Sequence, residues 1–230
     1  MRTRQLWSRI GLLILLSLAG GVIASQAVPR APSPSTGGLV FAATDRVGGL
    51  DLAEWSARQW QWTLSQPIPG NPGQDVTGER CGTGQAGRVF FLPHNFPPCH
   101  VPANTLLLVP IAGTECSTAE PPPFHGADEQ ELRACATSDV DRYTNISVRI
   151  DGEAVPDIAS FRVFSPMFTV TLPEQNVLGV PAGAIQVVAD GYQLLLAPLP
   201  AGEHEIMVHV ELVDGTVLPD KVIHLTVVEP

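Results

Sequence analysis

The feature that restricts the fold most is the succession of short apolar segments and tight turns over the last ninety residues. From Asn145 onward a segment with strand character recurs about every ten to twelve residues, without helical periodicity between them. Asp151-Gly152 and Asp190-Gly191 each have the composition of a two-residue hairpin turn. This pattern predicts a mainly β fold, an antiparallel β-sandwich of jelly-roll or immunoglobulin-like type.

Composition supports the same fold class. Gly and Pro number 21 and 22 of 230 residues, and charged residues make up only 16%, which suits strands joined by turns better than long helices. Further buried strands are predicted at Val89–Leu92 and Thr105–Ile111. One short helix is predicted at 127–136, where acidic residues occupy the first turn.

The N-terminal region has the pattern of an export signal. A basic segment, Met1–Arg9, precedes an apolar run, Ile10–Ala24, and small residues that suit cleavage. We expect residues 1–27 to be a signal peptide, 28–38 a disordered Pro- and Ser-rich linker, and 39–230 a single β-sandwich domain. The predicted location is therefore periplasmic or extracellular, without membrane association after signal cleavage.

The charge balance excludes some classes of partner. Removal of Arg2, Arg4 and Arg9 with the leader leaves ten basic residues against 23 acidic ones. Nucleic-acid binding is not expected, because it requires a basic face. No cofactor motif is present: Cys81-Gly82-Thr83-Gly84-Gln85-Ala86-Gly87 leads into a predicted strand, whereas a phosphate-binding loop leads into a helix.

Three of the four tryptophans lie close together in a predicted helix. Asp51 and Glu54 have the spacing of a capping box, so the helix is predicted to begin near Leu52 and to end before Pro67. Trp55, Trp60 and Trp62 could form an aromatic platform for a sugar or another flat ligand. Their helical spacing favours the alternative, in which they pack in the core.

Four cysteines in an exported protein predict two disulfides. Three pairings are possible, and we prefer Cys81–Cys99 with Cys116–Cys135, since each closes a loop of fewer than 20 residues. The competing interpretation is a zinc site, but the cysteines do not have the spacing of zinc ligands.

Two histidines are candidates for a metal site. Alternation places His209 and His224 on the outward faces of two predicted strands, Glu205–Val213 and Val222–Val228. If these strands pair as a hairpin, the two imidazoles lie nearly opposite each other and could bind a metal ion. Because no third ligand is evident, a solvated pair is the favoured interpretation.

No catalytic motif is recognisable. The chain has no Gly-x-Ser-x-Gly elbow, and His204-Glu205-Ile206-Met207-Val208-His209 has one residue too many for a zincin motif. We therefore expect a non-catalytic binding protein or an envelope or surface component. The alternative is an exported hydrolase that acts on glycans or esters, with carboxylates brought together only by the fold.

The chain resembles a family of exported, uncharacterised bacterial proteins. The matching residues are Glu54-Trp55-Ser56-Ala57, Trp60-Gln61-Trp62, Asp75, Thr77-Gly78, Cys81, Gly84-Gln85, Gly87, Val89–Leu92, Cys99, Val101-Pro102-Ala103, Glu115-Cys116-Ser117, Glu131-Leu132-Arg133, Asp151-Gly152, Asp190-Gly191-Tyr192, Pro200 and Gly202-Glu203-His204. Phe90 and Asn104 depart from the family pattern, which commonly has Trp and Gly at those positions. The resemblance implies export and a single domain; because the family has no established activity, it assigns no catalytic residues.

Overall fold

A computed structural model describes residues 38–229. The fold is mainly β, with two α-helices and ten strands in this range. The elements are α1 (Leu52–Ser65), β1 (Val89–Phe91), β2 (Cys99–Pro102), β3 (Leu106–Ser117), α2 (Glu129–Val140), β4 (Tyr143–Ile150), β5 (Glu153–Ala154), β6 (Arg162–Phe164), β7 (Phe168–Leu172), β8 (Gly183–Leu196), β9 (Gly202–Leu212) and β10 (Lys221–Val228). Short 3₁₀ turns lie at Pro72–Gln74 and Ile158–Phe161.

The strands form two five-stranded sheets that share one core. The first sheet has the order β1-β3-β8-β6, with β7 also paired to β8, and the second has the order β2-β10-β9-β4-β5. One cluster of buried side chains joins them, with Leu107 and Leu194 from the first sheet and Ile206 and Leu225 from the second. The predicted β-sandwich is confirmed.

Two strand pairs depart from the antiparallel expectation. β1 pairs with β3, and β2 pairs with β10, in parallel. Between β1 and β3 the chain passes through β2, which belongs to the other sheet. Because of this detour the chain returns beside β1 in the same direction, as a parallel pair requires.

Helix α1 begins and ends where the sequence predicts. The Asp51 side chain accepts a hydrogen bond from the Glu54 N–H, and the Glu54 carboxylate accepts one from the Asp51 N–H, which completes a capping box. Ala57 and Leu64 pack with Ile185 and Val187 of β8. The helix therefore covers one face of the first sheet.

Helix α2 is longer than predicted and lies on the opposite face. Asp128 caps its N-terminus by accepting from the Glu131 N–H. Leu132 and Ala136 pack with Val188 of β8. Side chains alternate along a strand, so Val188 points away from the face on which Val187 meets α1.

The Asp151-Gly152 hairpin is confirmed. Both residues have positive φ, 50° and 84°, as a type I′ turn requires, and they join β4 to β5.

The hairpin predicted at Asp190-Gly191 is wrong. Both residues lie within the continuous strand β8, and neither has a positive φ. Gly191 pairs with Gly113 on β3, and a Cβ on Gly191 would lie 2.7 Å from the Ala112 carbonyl oxygen. The glycine thus permits close approach of two backbones, and it does not form a turn.

Asp190 has a tertiary partner that explains its place inside a strand. Its carboxylate accepts two hydrogen bonds from Arg162, at 3.0 and 2.6 Å. The same guanidinium contacts Asp141, at the C-terminal end of α2, at 2.8 Å. Burial raises the pKa of the Asp190 carboxyl, and the hydrogen bonds and charge of Arg162 oppose that shift. This network links β6, β8 and α2.

Candidate ligand-binding groove

An open groove of about 450 Å³ lies beside helix α1. One wall is the exposed side of α1, the second is β7, and the third is the turn around Gly84 and Ala86. Its lining residues are Trp55, Arg58, Gln61, Trp62, Ser65, Gln66, Gly84, Ala86, Phe91, Thr169, Val170 and Thr171.

The floor of the groove is aromatic. The ring of Phe91 lies 6.2 Å from that of Trp55 and 5.7 Å from that of Trp62, at angles of 58° and 50° between ring planes. Trp62 is buried and Trp55 is half-buried. Such tilted contacts are typical of aromatic packing. Trp62 and Phe91 belong to the main core cluster and Trp55 packs against it, as the helical spacing of the tryptophans favoured.

Both indole N–H groups are bound to the protein backbone. Trp55 donates to the Val47 carbonyl at 3.0 Å, and Trp62 donates to the Thr83 carbonyl at 2.8 Å. These bonds fix the two rings in the groove, so their remaining contribution to a ligand is the apolar ring surface.

The loop that follows Cys81 is held in place to form the third wall. The Gln85 side chain donates to the carbonyls of Cys81 and Phe91 and accepts from the Phe91 N–H. Gly84 has a φ of +65°, and a Cβ there would lie 2.7 Å from the Gln66 amide nitrogen. Gly84 and Gln85 thus shape one wall of the groove.

Polar groups surround the aromatic floor. Gln61 donates to the Thr169 carbonyl at 3.0 Å, and the Thr169 hydroxyl accepts from Gln186 at 2.9 Å. Arg58 is exposed, and no ion-pair partner for its guanidinium lies within residues 38–229. A concave apolar surface with a few polar groups is typical of small-ligand sites.

Trp60 does not line this groove. It points toward the sheet and stacks on His94, with ring centroids 4.1 Å apart. Burial, and to a lesser degree the charge of Lys221, lowers the pKa of His94 to about 3, so the imidazole is neutral at physiological pH. The structure therefore separates Trp60 from Trp55 and Trp62.

Polar atoms without partners lie under α1. Gln59 donates to the Leu92 carbonyl and Gln193 donates to Ser56, but the carbonyl oxygen of each amide has no partner within the described chain. The Thr63 hydroxyl and the Nδ1 atom of His94 are also buried without a hydrogen-bond partner in the described chain. Such groups in native proteins commonly bind ordered water.

Two glutamates with raised pKa values, Glu115 and Glu120, lie at the end of β3 and just after it. Burial, together with the neighbouring Glu120 carboxylate, raises the pKa of Glu115 to about 8. Burial also raises the pKa of Glu120, whose carboxylate accepts a hydrogen bond from Ser117 at 2.8 Å. Neither glutamate lines the groove beside α1.

The expected juxtaposition of His209 and His224 is wrong. The register of β9 and β10 places Glu205 opposite His224, with 4.0 Å between carboxylate and imidazole. His209 instead contacts Asp220 at 2.7 Å. Because Val208 pairs with Lys221, the same register places Asp220 opposite His209, four residues before His224. No group of three or more His, Cys, Asp or Glu side chains suited to a metal ion lies within residues 38–229.

All four cysteines form disulfides. The bonds are Cys81–Cys99 and Cys116–Cys135, so the expectation of two disulfides is confirmed. The first joins the loop behind Trp62 to β2, and the second joins β3 to α2.

Comparisons with known proteins add little to this description. No family model matches the chain, and no curated protein is significantly similar to it. Among solved structures, it is similar to the fibronectin(III)-like modules of Clostridium thermocellum CbhA, with 13% identity over 58% of this chain and 91% of that chain and a TM-score of 0.22. A TM-score this low carries no argument. No helix between residues 38 and 229 is long and apolar enough to span a bilayer.

Sequence reasoning identified the tryptophans but missed the rest of the groove. Helical periodicity does place Arg58 on the same side as Trp55 and Trp62, at spacings of three and four residues. That signal was available from the sequence. Thr169 and Thr171 were not identifiable, because they reach the groove only through the pairing of β7 with β8.

Proposed function

We propose that the protein is an exported, non-catalytic β-sandwich protein that binds a ligand in the groove beside α1. The observation that carries this proposal is the open groove lined by the half-buried ring of Trp55, the buried rings of Trp62 and Phe91, and several polar side chains. Surfaces of this composition bury the apolar parts of a ligand and orient it through a few polar contacts.

Two disulfides support export. Together they use all four cysteines of the chain, and such bonds persist chiefly in oxidising compartments. The proposed signal peptide, residues 1–27, and the proposed linker up to residue 37 lie outside the described residues, which begin at Gly38. Membership of the exported family named above is part of the same proposal. N-terminal sequencing of the protein from periplasm or medium tests it, and a mature terminus at Met1 would refute signal cleavage.

The lining of the groove supports binding without catalysis. Arg58 is its one ionisable side chain among the described residues, and a guanidinium has no acceptor atom with which to act as a general base. The Ser65 hydroxyl donates to the Trp62 carbonyl, not to a base that could activate it. The groove thus offers contacts to a ligand but no general acid or base.

A steric block tests the site. Ala86 is exposed at the wall of the groove, so Ala86→Trp should occlude the floor without disturbing the core. Ala154→Trp, on the exposed edge strand β5, is the matched control. Binding to an array of soluble glycans and small organic ligands should be lost in Ala86→Trp and retained in the control. Ligands that bind both variants equally would place the site elsewhere.

The alternative function, an exported hydrolase, is favoured by one observation. Glu115 and Glu120 form a carboxyl pair in which both pKa values are raised, as is found for general acids. A panel of glycoside and ester substrates tests this alternative. Turnover that Glu115→Gln abolishes would support it, and turnover that survives the substitution would not.

A further inference from the structure

The composition of the groove also indicates the chemistry of its ligand. Resting on the proposed function, we infer that the groove binds an acidic glycan, a chain of sugar rings in which a carboxylate lies beside a pyranose. Three observations support this: the shape of the aromatic floor, the unpaired guanidinium above it and the hydrogen-bonding groups of its rim.

The floor suits a pyranose better than a flat aromatic ligand. Phe91 is tilted by 58° and 50° against the two indoles, so the rings do not form a parallel slot. The apolar ring surface exposed in the groove belongs mainly to the half-buried Trp55, since Trp62 and Phe91 are buried. The C–H face of a pyranose is itself convex and apolar and can lie on such a surface. A nucleobase gains most from parallel stacking on a flat ring.

Arg58 supplies the charge. It lies one turn of α1 from both Trp55 and Trp62, and lines the groove with them. Other arginines are paired with carboxylates, among them Arg46, Arg133 and Arg162. Arg58 has no such partner in the described chain, and neither do Arg80, Arg88 and Arg149. Arg58 is distinguished from these three because it lines the aromatic groove.

An unpaired guanidinium in an acidic protein is a local site for an anion. A guanidinium binds a carboxylate through two parallel hydrogen bonds, which fixes orientation as well as charge. The acidic surface elsewhere repels polyanions, so an acidic glycan would gain its attraction at Arg58. The groove itself contains no carboxylate among its lining residues, so the charge it presents to a ligand is positive.

The rim suits the hydroxyl groups of a sugar. Thr169 and Thr171 alternate outward along β7, and Ser65 and Gln66 lie on the facing side. Hydroxyl and amide groups can each donate and accept, as sugar hydroxyls require. Because the groove is open at the surface, an internal segment of a glycan chain can lie along it.

The test compares a charged ligand with its neutral analogue. Calorimetry is performed with a hexasaccharide of galacturonic acid and with the same hexasaccharide as its methyl ester, against the full mature chain. We expect the acid to bind more tightly than the ester, with an affinity that falls as salt is added. Arg58→Gln should weaken binding of the acid by about 10- to 100-fold, the range for a lost hydrogen-bonded charge contact. Binding of the ester should change little.

Two controls separate this inference from the proposed function. Arg149→Gln removes an exposed arginine on β4, whose guanidinium donates to the Gly152 carbonyl and to no carboxylate between residues 38 and 229, and should leave binding unchanged. Equal affinity for acid and ester, insensitive to Arg58→Gln but lost in Ala86→Trp, would refute the acidic ligand and retain the groove. Failure of the acid to bind, or tighter binding of adenosine monophosphate, would also refute the inference. Binding of the acid that Ala86→Trp does not affect would refute the proposed site itself.

Discussion

The buried ion pair between Arg162 and Asp190 provides a quantitative test of how the sandwich is held together. The Asp190 side chain is 0% exposed and that of Arg162 is 22% exposed. Removal of one partner of a buried pair leaves an uncompensated charge, which typically costs 3–5 kcal/mol. We expect Arg162→Met to lower the free energy of unfolding by about 3 kcal/mol, at the lower end of that range, because Arg162 is partly exposed.

A double variant separates the cost of the unpaired charge from the value of the pair. Arg162→Met combined with Asp190→Leu removes both charges, so its cost should be smaller than that of Arg162→Met alone. The control is Arg142→Met. Arg142 pairs with Asp139 at the surface, with its side chain 57% exposed, and such pairs contribute about 0–1 kcal/mol.

Urea unfolding at pH 7 with both disulfides intact measures these differences, provided that the slope against urea is the same for all variants. A cost for Arg162→Met no larger than that for Arg142→Met would refute the assignment of a buried pair. The assignment would also be refuted if the cost of the double variant equalled the sum of the costs of Arg162→Met and Asp190→Leu measured singly, since that result would show no coupling.

Three further predictions concern stability. Glu115→Gln should remove a pH dependence of stability. The Glu115 carboxyl has a pKa of about 8 in the folded protein against an ordinary 4.5, so wild-type stability falls as pH rises from about 4.5 to 8 and the variant becomes more stable relative to wild type. Urea unfolding across this pH range measures the effect, and the same dependence of unfolding free energy on pH in both proteins would contradict it. Gly191→Ala should cost about 1–3 kcal/mol through backbone overlap, whereas Gly82→Ala, with no atom within 4 Å of its Cβ, should be nearly neutral in the same assay. Replacement of Cys116 and Cys135 by Ser should lower stability by about 3 kcal/mol and lower the thermal midpoint; an unchanged midpoint would refute a constraining role.

Local signals in the sequence predicted their elements well. The capping box at Asp51 and Glu54 placed the start of α1 correctly, and Asp151-Gly152 forms the predicted turn. In both cases the interacting atoms belong to residues within three or four positions of each other. The sequence therefore contains nearly all of the relevant contacts.

Sequence patterns whose outcome depends on distant residues gave wrong predictions. Asp190-Gly191 has the same composition as Asp151-Gly152 but lies inside β8, because Arg162 and Gly113 provide partners across the sheet. His209 and His224 have the predicted outward alternation, yet the register of β9 and β10 places Glu205 opposite His224, so the two histidines do not meet. Register depends on turn geometry as well as on alternation.

The sequence by itself determined the class of the fold, the capped tryptophan helix and an even set of cysteines, because strand alternation, capping and cysteine number are local or countable properties. Only the tertiary structure decided which partners the tryptophans contact. Trp55, Trp62 and Phe91 converge on one groove while Trp60 turns to His94, since the side chains of one helix diverge around its axis and their partners come from separate strands and loops. The unpaired charge of Arg58 could likewise be recognised only once the carboxylates around it had been placed.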